Sequence, residues 1–294
     1  MKLTNILNLP QALADAVTLE KHNAEGEISA TTLIKGVKEY LLTERHWDDI
    51  TVDVKDQIWA LWGTTAHKLL EKEYEGTFTE EKFEQKVGNY TVTGRVDCYD
   101  MENETLYDYK TTSAWKVVYK NFEDWKSQGL IYAWLLSKIG LNVKKCKFEA
   151  ILRDWSETES LRKADYPKAP VYIYEFDVTE EDIKAIGEKI EQKVAKVEEN
   201  LKVADDDIEP CSKEERWASE DVYAVMKEGR KTSIKNFDNL EDAEKLAGEL
   251  GEKHYVETRP GVDKKCTKYC VCKEFCNYYR EHYGTEEPNA EKTE

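Results

Sequence analysis

Residues 89–111 read NYTVTGRVDCYDMENETLYDYKT, and the fold turns on how this stretch is parsed. From Asn89 to Tyr99 polar and apolar side chains alternate, with Tyr90, Val92, Val96 and Cys98 on one face and Thr91, Thr93, Arg95 and Asp97 on the other. Period-two alternation predicts a half-buried strand. Asp100 to Glu104 is a polar turn, and Thr105 to Thr111 predicts a second strand with Leu106, Asp108 and Lys110 on one side. If the hairpin closes between Glu102 and Asn103, Asp97 faces Asp108 across the ladder. Two carboxylates with Cβ atoms roughly 4.5–5.5 Å apart repel unless a cation lies between them. Hard oxygen ligands of this kind suit Mg²⁺ or Mn²⁺. Lys110, on the same face, is placed to hold an attacking water or to neutralise developing negative charge. The plainer alternative is a pair of surface ion pairs with Arg95 and Lys110, which contribute little.

Outward from the hairpin, Thr31 to Glu73 has helical spacing, with Ser29 or Thr31 as N-cap and His67 and Glu71 one turn apart in the run Ile58 to Tyr74. A short strand is expected before the hairpin. After it come a helix over Phe122 to Ile139, a buried strand over Val143 to Trp155, a loop marked by Pro167 and Pro170, a strand over Val171 to Val178, and an amphipathic helix from Thr179 to about Val203. This order describes an α/β protein with a mixed central sheet flanked by helices. Beyond Pro210 the texture changes to strand-like runs within Val222 to Phe237, a helix from Leu240 to Leu250 and a strand near His254 to Glu257. The expected division is a core over 1–210, a small α+β subdomain over 211–283 closed by cysteines, and a charged, disordered tail over 284–294.

With 294 residues and 40% hydrophobic side chains the chain can bury a substantial core. It lacks a basic start followed by an apolar run, and no stretch approaches the roughly 18 apolar residues of a membrane span, so a cytoplasmic protein is expected. The net charge of -17 opposes contact with a phosphate backbone. Much of it is a solvated helix face, as in Glu180, Glu181, Glu188, Glu191 and Glu198. Any nucleic-acid site must therefore be locally basic or bridged by metal.

The run Gly94-Arg95-Val96-Asp97, then Asp108-Tyr109-Lys110-Thr111, then Gln128 and Tyr132, resembles the core of RecB-like PD-(D/E)XK exonucleases. Upstream, Gly63-Thr64-Thr65-Ala66-His67 with Glu71 is similar to the helix that supplies their histidine. The resemblance spans about residues 29–155 and implies a restriction-endonuclease-like core. It further implies that His67, Asp97, Asp108 and the Tyr109 carbonyl hold a metal, that Lys110 serves catalysis, and that Gln128 and Tyr132 face DNA and the site. Val96 stands where the family name has proline, and Asp108 where glutamate is usual. Taken alone, His67 reads as a helix-packing histidine; Glu84 could support the metal shell as a further acidic group, but reads more readily as a surface residue before the strand.

Of seven cysteines, Cys98 and Cys146 lie in apolar strand-like runs and suit the core, while Cys266, Cys270, Cys272 and Cys276 crowd into eleven residues. Such clustering points to metal rather than disulfides. Cys266, Cys270 and Cys276 with Cys211 supply four thiolates, and Cys272 is a spare thiol or substitute ligand. This layout resembles the iron-sulfur nucleases related to CRISPR-associated and AddB-type exonucleases, with Cys211 behind the core as in phage-encoded members. The resemblance implies a structural 4Fe-4S cluster. Zinc would close the same site, and the spacing alone does not separate the two.

The function expected from these readings is metal-dependent hydrolysis of DNA, as an exonuclease at ends or on single strands in recombination, repair or DNA processing. A recombination or single-strand-binding protein is a conceivable partner. The alternatives are a non-catalytic DNA-binding recombination partner that keeps the fold, and an RNA nuclease. Lys227, Arg230, Lys231 and Lys235, with Lys264, Lys265 and Lys268, could guide a backbone, or could equally be solvated loops. Trp115, Tyr119 and Trp125 could stack bases, or could be core.

Overall fold

The architecture was read from a computed structural model, in which residues 1–21, 23–70 and 75–284 are described. The chain divides into two compact units, the first ending at Val203 and the second starting at Ala204.

The first unit runs β1 (Lys2–Thr4), α1 (Gln11–Ala16), β2 (Glu27–Ser29), α2 (Ala30–Leu33), α3 (Val37–Arg45), β3 (Thr51–Asp53) and α4 (Val54–Leu70). It continues through β4 (Thr77–Val87), β5 (Tyr90–Asp100), β6 (Thr105–Thr112), α5 (Ala114–Val118), α6 (Glu123–Lys138), β7 (Lys145–Leu152), α7 (Glu157–Arg162), β8 (Val171–Asp177) and α8 (Glu180–Asn200). The fold is mixed α/β, with helices flanking a mixed central sheet. Its order is β2-β5-β6-β7-β8, with β4 also on β5. Strands β2 and β5, and β6 and β7, are parallel; the other pairs are antiparallel.

The single helical stretch expected from Thr31 to Glu73 is three helices and a strand. Ser29 caps α2 by accepting from the Thr32 amide, and Gly36 stands as N-cap of α3. Thr51–Asp53 then pairs in parallel with β1 before α4 begins. The Asp53 carboxylate accepts from the Lys55 and Ile6 amides, which fastens the start of α4 to the N-terminal strand. Glu71, the acidic partner expected one turn beyond His67, lies outside the described residues, as does the tail beyond Gly284.

The hairpin closes in the register expected from its turn, with Cys98 opposite Tyr107, Tyr99 opposite Leu106 and Asp100 opposite Thr105. Asp100 Oδ1 accepts from the Glu102 and Asn103 amides and so shapes the turn. Strand β5, however, is not half-buried. Val92 and Val96 are fully buried on one face, and Thr93, Asp97 and Tyr99 are buried on the other. Both faces are covered by elements packed on the sheet, among them α6 at Gly94, which local alternation cannot reveal.

Helix α6 is the main lid on this sheet, and its buried side chains include Trp125, Ile131, Trp134 and Leu135. Burying each contributes about 1.5–3 kcal/mol. The amphipathic α8 packs its stripe Ile186, Ile190, Val194 and Val197 inward. Gly187 sits in that stripe because a Cβ there would meet Trp134 Nε1 at 2.7 Å.

The second unit holds β9 (Val222–Lys227), β10 (Lys235–Phe237), α9 (Leu240–Leu250), β11 (His254–Arg259), α10 (Lys264–Lys268) and α11 (Asn277–Tyr283). Its antiparallel sheet has the order β10-β9-β11. Val225, Ala243 and Ala247 form a small core between sheet and α9, joined by Tyr223, Phe237, Leu246 and Val256.

Candidate metal centre

Strand β5 has one edge occupied along its length by β4. The other edge is shared: β2 covers Thr91–Thr93 and β6 covers Cys98–Asp100. Residues 94–97 therefore lie in a fork where β5 has left β6. Beyond Tyr107, β6 pairs with β7 alone. Asp97 and Asp108, next in register after the last ladder pair, meet at the mouth of this fork. In place of a ladder bond, the Tyr109 amide donates to Asp97 Oδ2 at 2.6 Å.

Asp108 is 1% exposed, and neither carboxylate oxygen accepts a well-formed hydrogen bond. Lys110 Nζ stands 2.5 Å from Asp108 Oδ2, a close ionic contact whose angles fall short of a hydrogen bond. Burial raises the Asp108 pKa, the Lys110 charge opposes that, and the Asp97 charge adds to it. A buried carboxylate left this way is destabilising in water-excluded surroundings unless a cation meets it.

Helix α4 delivers His67, whose Nδ1 lies 3.4 Å from Asp97 Oδ2. The Asp97 contact raises the histidine pKa and burial opposes it. The third member of the cluster is Glu80 of β4. Donor atoms of His67, Glu80 and Asp97 lie within 4.8 Å of one another, a set that could hold a divalent ion. The β4–β5 ladder pairs Thr79 with Cys98 and Glu81 with Val96 but skips Glu80 opposite Asp97. Glu80 has φ 54°, in the left-handed region rarely used by non-glycine residues, and Arg95 Nη1 donates to its carbonyl. The sequence reading considered Glu84, which is exposed, and missed Glu80. Counting back across the Gly88-Asn89 turn from the Val87–Tyr90 pair places Glu80 opposite Asp97, so the signal was present once residues 77–87 are read as one strand.

Gln128 and Tyr132, one turn apart on α6, are both buried, and Gln128 Nε2 donates to the Tyr132 hydroxyl at 2.8 Å. The ring of Tyr132 lies against Gly94, where a Cβ would sit 2.8 Å from it and 2.7 Å from Leu135 Cδ1. Burial raises the Tyr132 pKa, with the Asp108 charge next in effect. The pair thus backs the carboxylates from the α6 side.

In the second unit, Cys266 feels the charges of Cys270, Cys211 and Cys276. Burial first, then these neighbours and Asp263, push its thiol up to about 12. Cys272 is buried, with its Sγ 3.5 Å from that of Cys270. Mutually repelling thiols of this kind fit a cationic centre that thiolates would hold. Arg216 ties the set together: it donates to the Cys211 carbonyl, stands 3.2 Å from Asp263 Oδ2 and stacks on Tyr278. Asp263 also accepts from the Tyr278 and Tyr283 hydroxyls. Cys98 and Cys146 are buried in the sheet of the first unit. Lys227 and Lys235 lie on the exposed β9–β10 hairpin, and Lys265 stacks on Trp217.

No helix among the described residues is long and apolar enough to cross a membrane. No family model and no curated protein matches the chain. Among solved structures, SSO0001 is 20% identical at a TM-score of 0.40, over 61% of this chain and 81% of that one. The alkaline exonuclease LHK-Exo of Laribacter hongkongensis, solved in complex with dAMP, is 12% identical at 0.38, over 60% of this chain and 90% of that one. A phage related exonuclease from Haemophilus somnus 129PT is 11% identical at 0.38, over 60% of this chain and 94% of that one.

Proposed function

We propose that this chain is a metal-dependent deoxyribonuclease of the PD-(D/E)XK type, hydrolysing phosphodiester bonds as an exonuclease. The observation that carries the reading is Asp108, a buried carboxylate without a good hydrogen bond, set beside Asp97 in the strand fork and contacted by Lys110. His67, Asp97, Asp108 and the Tyr109 carbonyl, with Glu80 added, would hold Mg²⁺ or Mn²⁺. When bound, such an ion acidifies a water and draws charge from phosphoryl oxygens. The chain's own parts complete the chemistry. The Tyr109 amide fixes the Asp97 carboxylate, and Asp97 in turn orients His67. Lys110, with its side chain 20% exposed and its Nζ between Asp108 and the Phe148 ring, is placed to neutralise charge developing on a phosphate at the mouth. Gln128 and Tyr132, expected from the resemblance to face DNA, are instead buried and support the carboxylates from behind.

In this reading Cys211, Cys266, Cys270 and Cys276 bind a 4Fe-4S cluster, or alternatively zinc, in a purely structural role.

The test is digestion of end-labelled single- and double-stranded DNA by anaerobically purified protein with Mg²⁺, Mn²⁺ or EDTA, beside Asp108→Ala and Lys110→Ala. Cleavage that needs both the ion and these side chains is expected. Metal-independent cleavage, or full activity in either folded variant, would overturn the assignment.

A further inference from the structure

The first unit exposes aromatic rings on α4, the helix that carries His67, and at α5, which follows β6. Trp59 and Trp62 on α4 are 55% and 53% exposed, and Trp115 and Tyr119 at α5 are 37% and 74% exposed. Trp125, the third aromatic residue considered from sequence, is instead core at 5%. Clustered exposed apolar surface of this kind marks a binding face.

Trp59, Trp115 and Tyr119 are joined to the end of β6 by short links. Trp59, Gly63 and His67 recur every four residues and so share one stripe of α4. Along it Gly63 packs at Thr111 of β6, the residue after Lys110, and Trp59 lies about 12 Å further out than His67 at 1.5 Å per residue. The Arg153 guanidinium stands 4.5 Å from the Trp59 ring centroid, and its amide donates to the Thr112 carbonyl. Asp154 next to it accepts from the Ser113 hydroxyl and the Ala114 amide, both at 2.6 Å, which fixes the start of α5. Trp115 follows at once, stacked on Tyr119 with centroids 6.1 Å apart and carrying Lys163 Nζ 4.5 Å from its own centroid.

We infer that Trp59, Arg153, Trp115 and Tyr119 form a track for an unpaired polynucleotide strand running to the carboxylate site. This inference rests on the nuclease reading. Ring faces open to solvent can stack bases only where the bases are unpaired, and stacking tolerates any sequence. In a chain of net charge -17, the Arg153 guanidinium on the exposed Trp59 ring supplies the local positive charge that a phosphate backbone requires, whereas Lys163 on Trp115 is paired with Glu159 at 2.8 Å. The track ends at Thr112, two residues past Lys110, so a strand lying on it enters the site end-on.

The experiment is anisotropy titration of the full-length protein with a labelled dT oligonucleotide, and with the same oligonucleotide as a duplex, in EDTA so that nothing is cleaved. Trp59→Ala and Trp115→Ala are each expected to weaken dT binding about five- to a hundredfold. Trp59→Phe should restore most of the loss, a rescue that also excludes misfolding. Arg153→Ala should reduce the slope of log affinity against log salt by about 0.7. Unchanged dT binding in the alanine variants, or equal losses on the duplex, would overturn the track. Asp108→Ala separates the two readings: it should lose cleavage and keep dT binding. If the wild type cleaves nothing while the tryptophan variants still lose dT binding, the nuclease reading fails and the track stands.

Discussion

Asp108 is a fully buried carboxylate with no hydrogen-bond partner and one close cation, Lys110. Its neutral isostere should separate stability from metal binding. In EDTA, Asp108→Asn is expected to raise stability by about 1 kcal/mol or more, because a buried charge without good partners is removed while Lys110 can still reach water. With Mg²⁺ the wild type should gain melting temperature and the variant should not. A melting temperature lowered in EDTA would show that the carboxylate already has adequate partners in the protein. Glu80 tests the other half of the site. Glu80→Gln should raise the Mg²⁺ concentration giving half-maximal cleavage roughly tenfold, whereas Glu84→Gln, altering an exposed neighbour on the same strand, should not. Equal behaviour of the two variants would remove Glu80 from the site. Both aspartates were legible in the sequence because they lie on one hairpin whose turn fixes their register. Glu80 needed a second hairpin to be counted, and its left-handed backbone is a product of packing that no local pattern announces.

Among the elements, β5 and α6 meet so closely at Gly94 that the glycine is a packing requirement. Gly94→Ala places a methyl group within 2.8 Å of Tyr132 and Leu135 and should cost about 1–3 kcal/mol in denaturant unfolding, with Tyr132 pushed off the carboxylates. A neutral effect would mean that α6 can slide away freely. Helix α8 provides a pH test. Thr179 and Asp182 form a reciprocal capping box at its start, and the Thr179 hydroxyl and amide hold the Asp182 carboxyl below its usual range. A depressed carboxylate contributes stability that is present above the unfolded pKa of about 3.9 and is lost as pH falls through the lower folded value. Thr179→Ala should therefore destabilise by about 1 kcal/mol at neutral pH, and the difference from wild type should shrink below pH 4. A difference that persists in acid would assign the effect to the helix cap alone.

For the whole molecule, the two units have separate sources of stability. The first has a five-strand path covered by long helices, while the second has a small three-stranded core and a set of cysteines. Small cores need such staples. Cys266→Ser, or chelation under reducing conditions, is expected to raise amide hydrogen exchange across β9 to α11 while β5, β6 and β7 stay protected. Uniform exchange across both units would show that they unfold as one. On protein purified anaerobically, a visible iron-sulfur absorption band would support the proposed cluster, and stoichiometric zinc without it the alternative.

By itself the sequence determined the mixed α/β class, the hairpin whose register sets Asp97 opposite Asp108, the span of α9 and nearly that of α6 and α8, and the grouping of the cysteines. These are local matters: side-chain period, turn chemistry and spacing act within a few residues. Only the tertiary structure decided that β5 is buried on both faces, that β2 and β6 divide its edge into a fork, and that Glu80 joins His67 and Asp97. It also sorted Trp125 into the core and left Trp59, Trp62, Trp115 and Tyr119 on the surface. Each of these depends on which distant elements come to lie against a residue, and burial, charge coupling and close approach are properties of that assembly rather than of the strand or helix that carries the side chain.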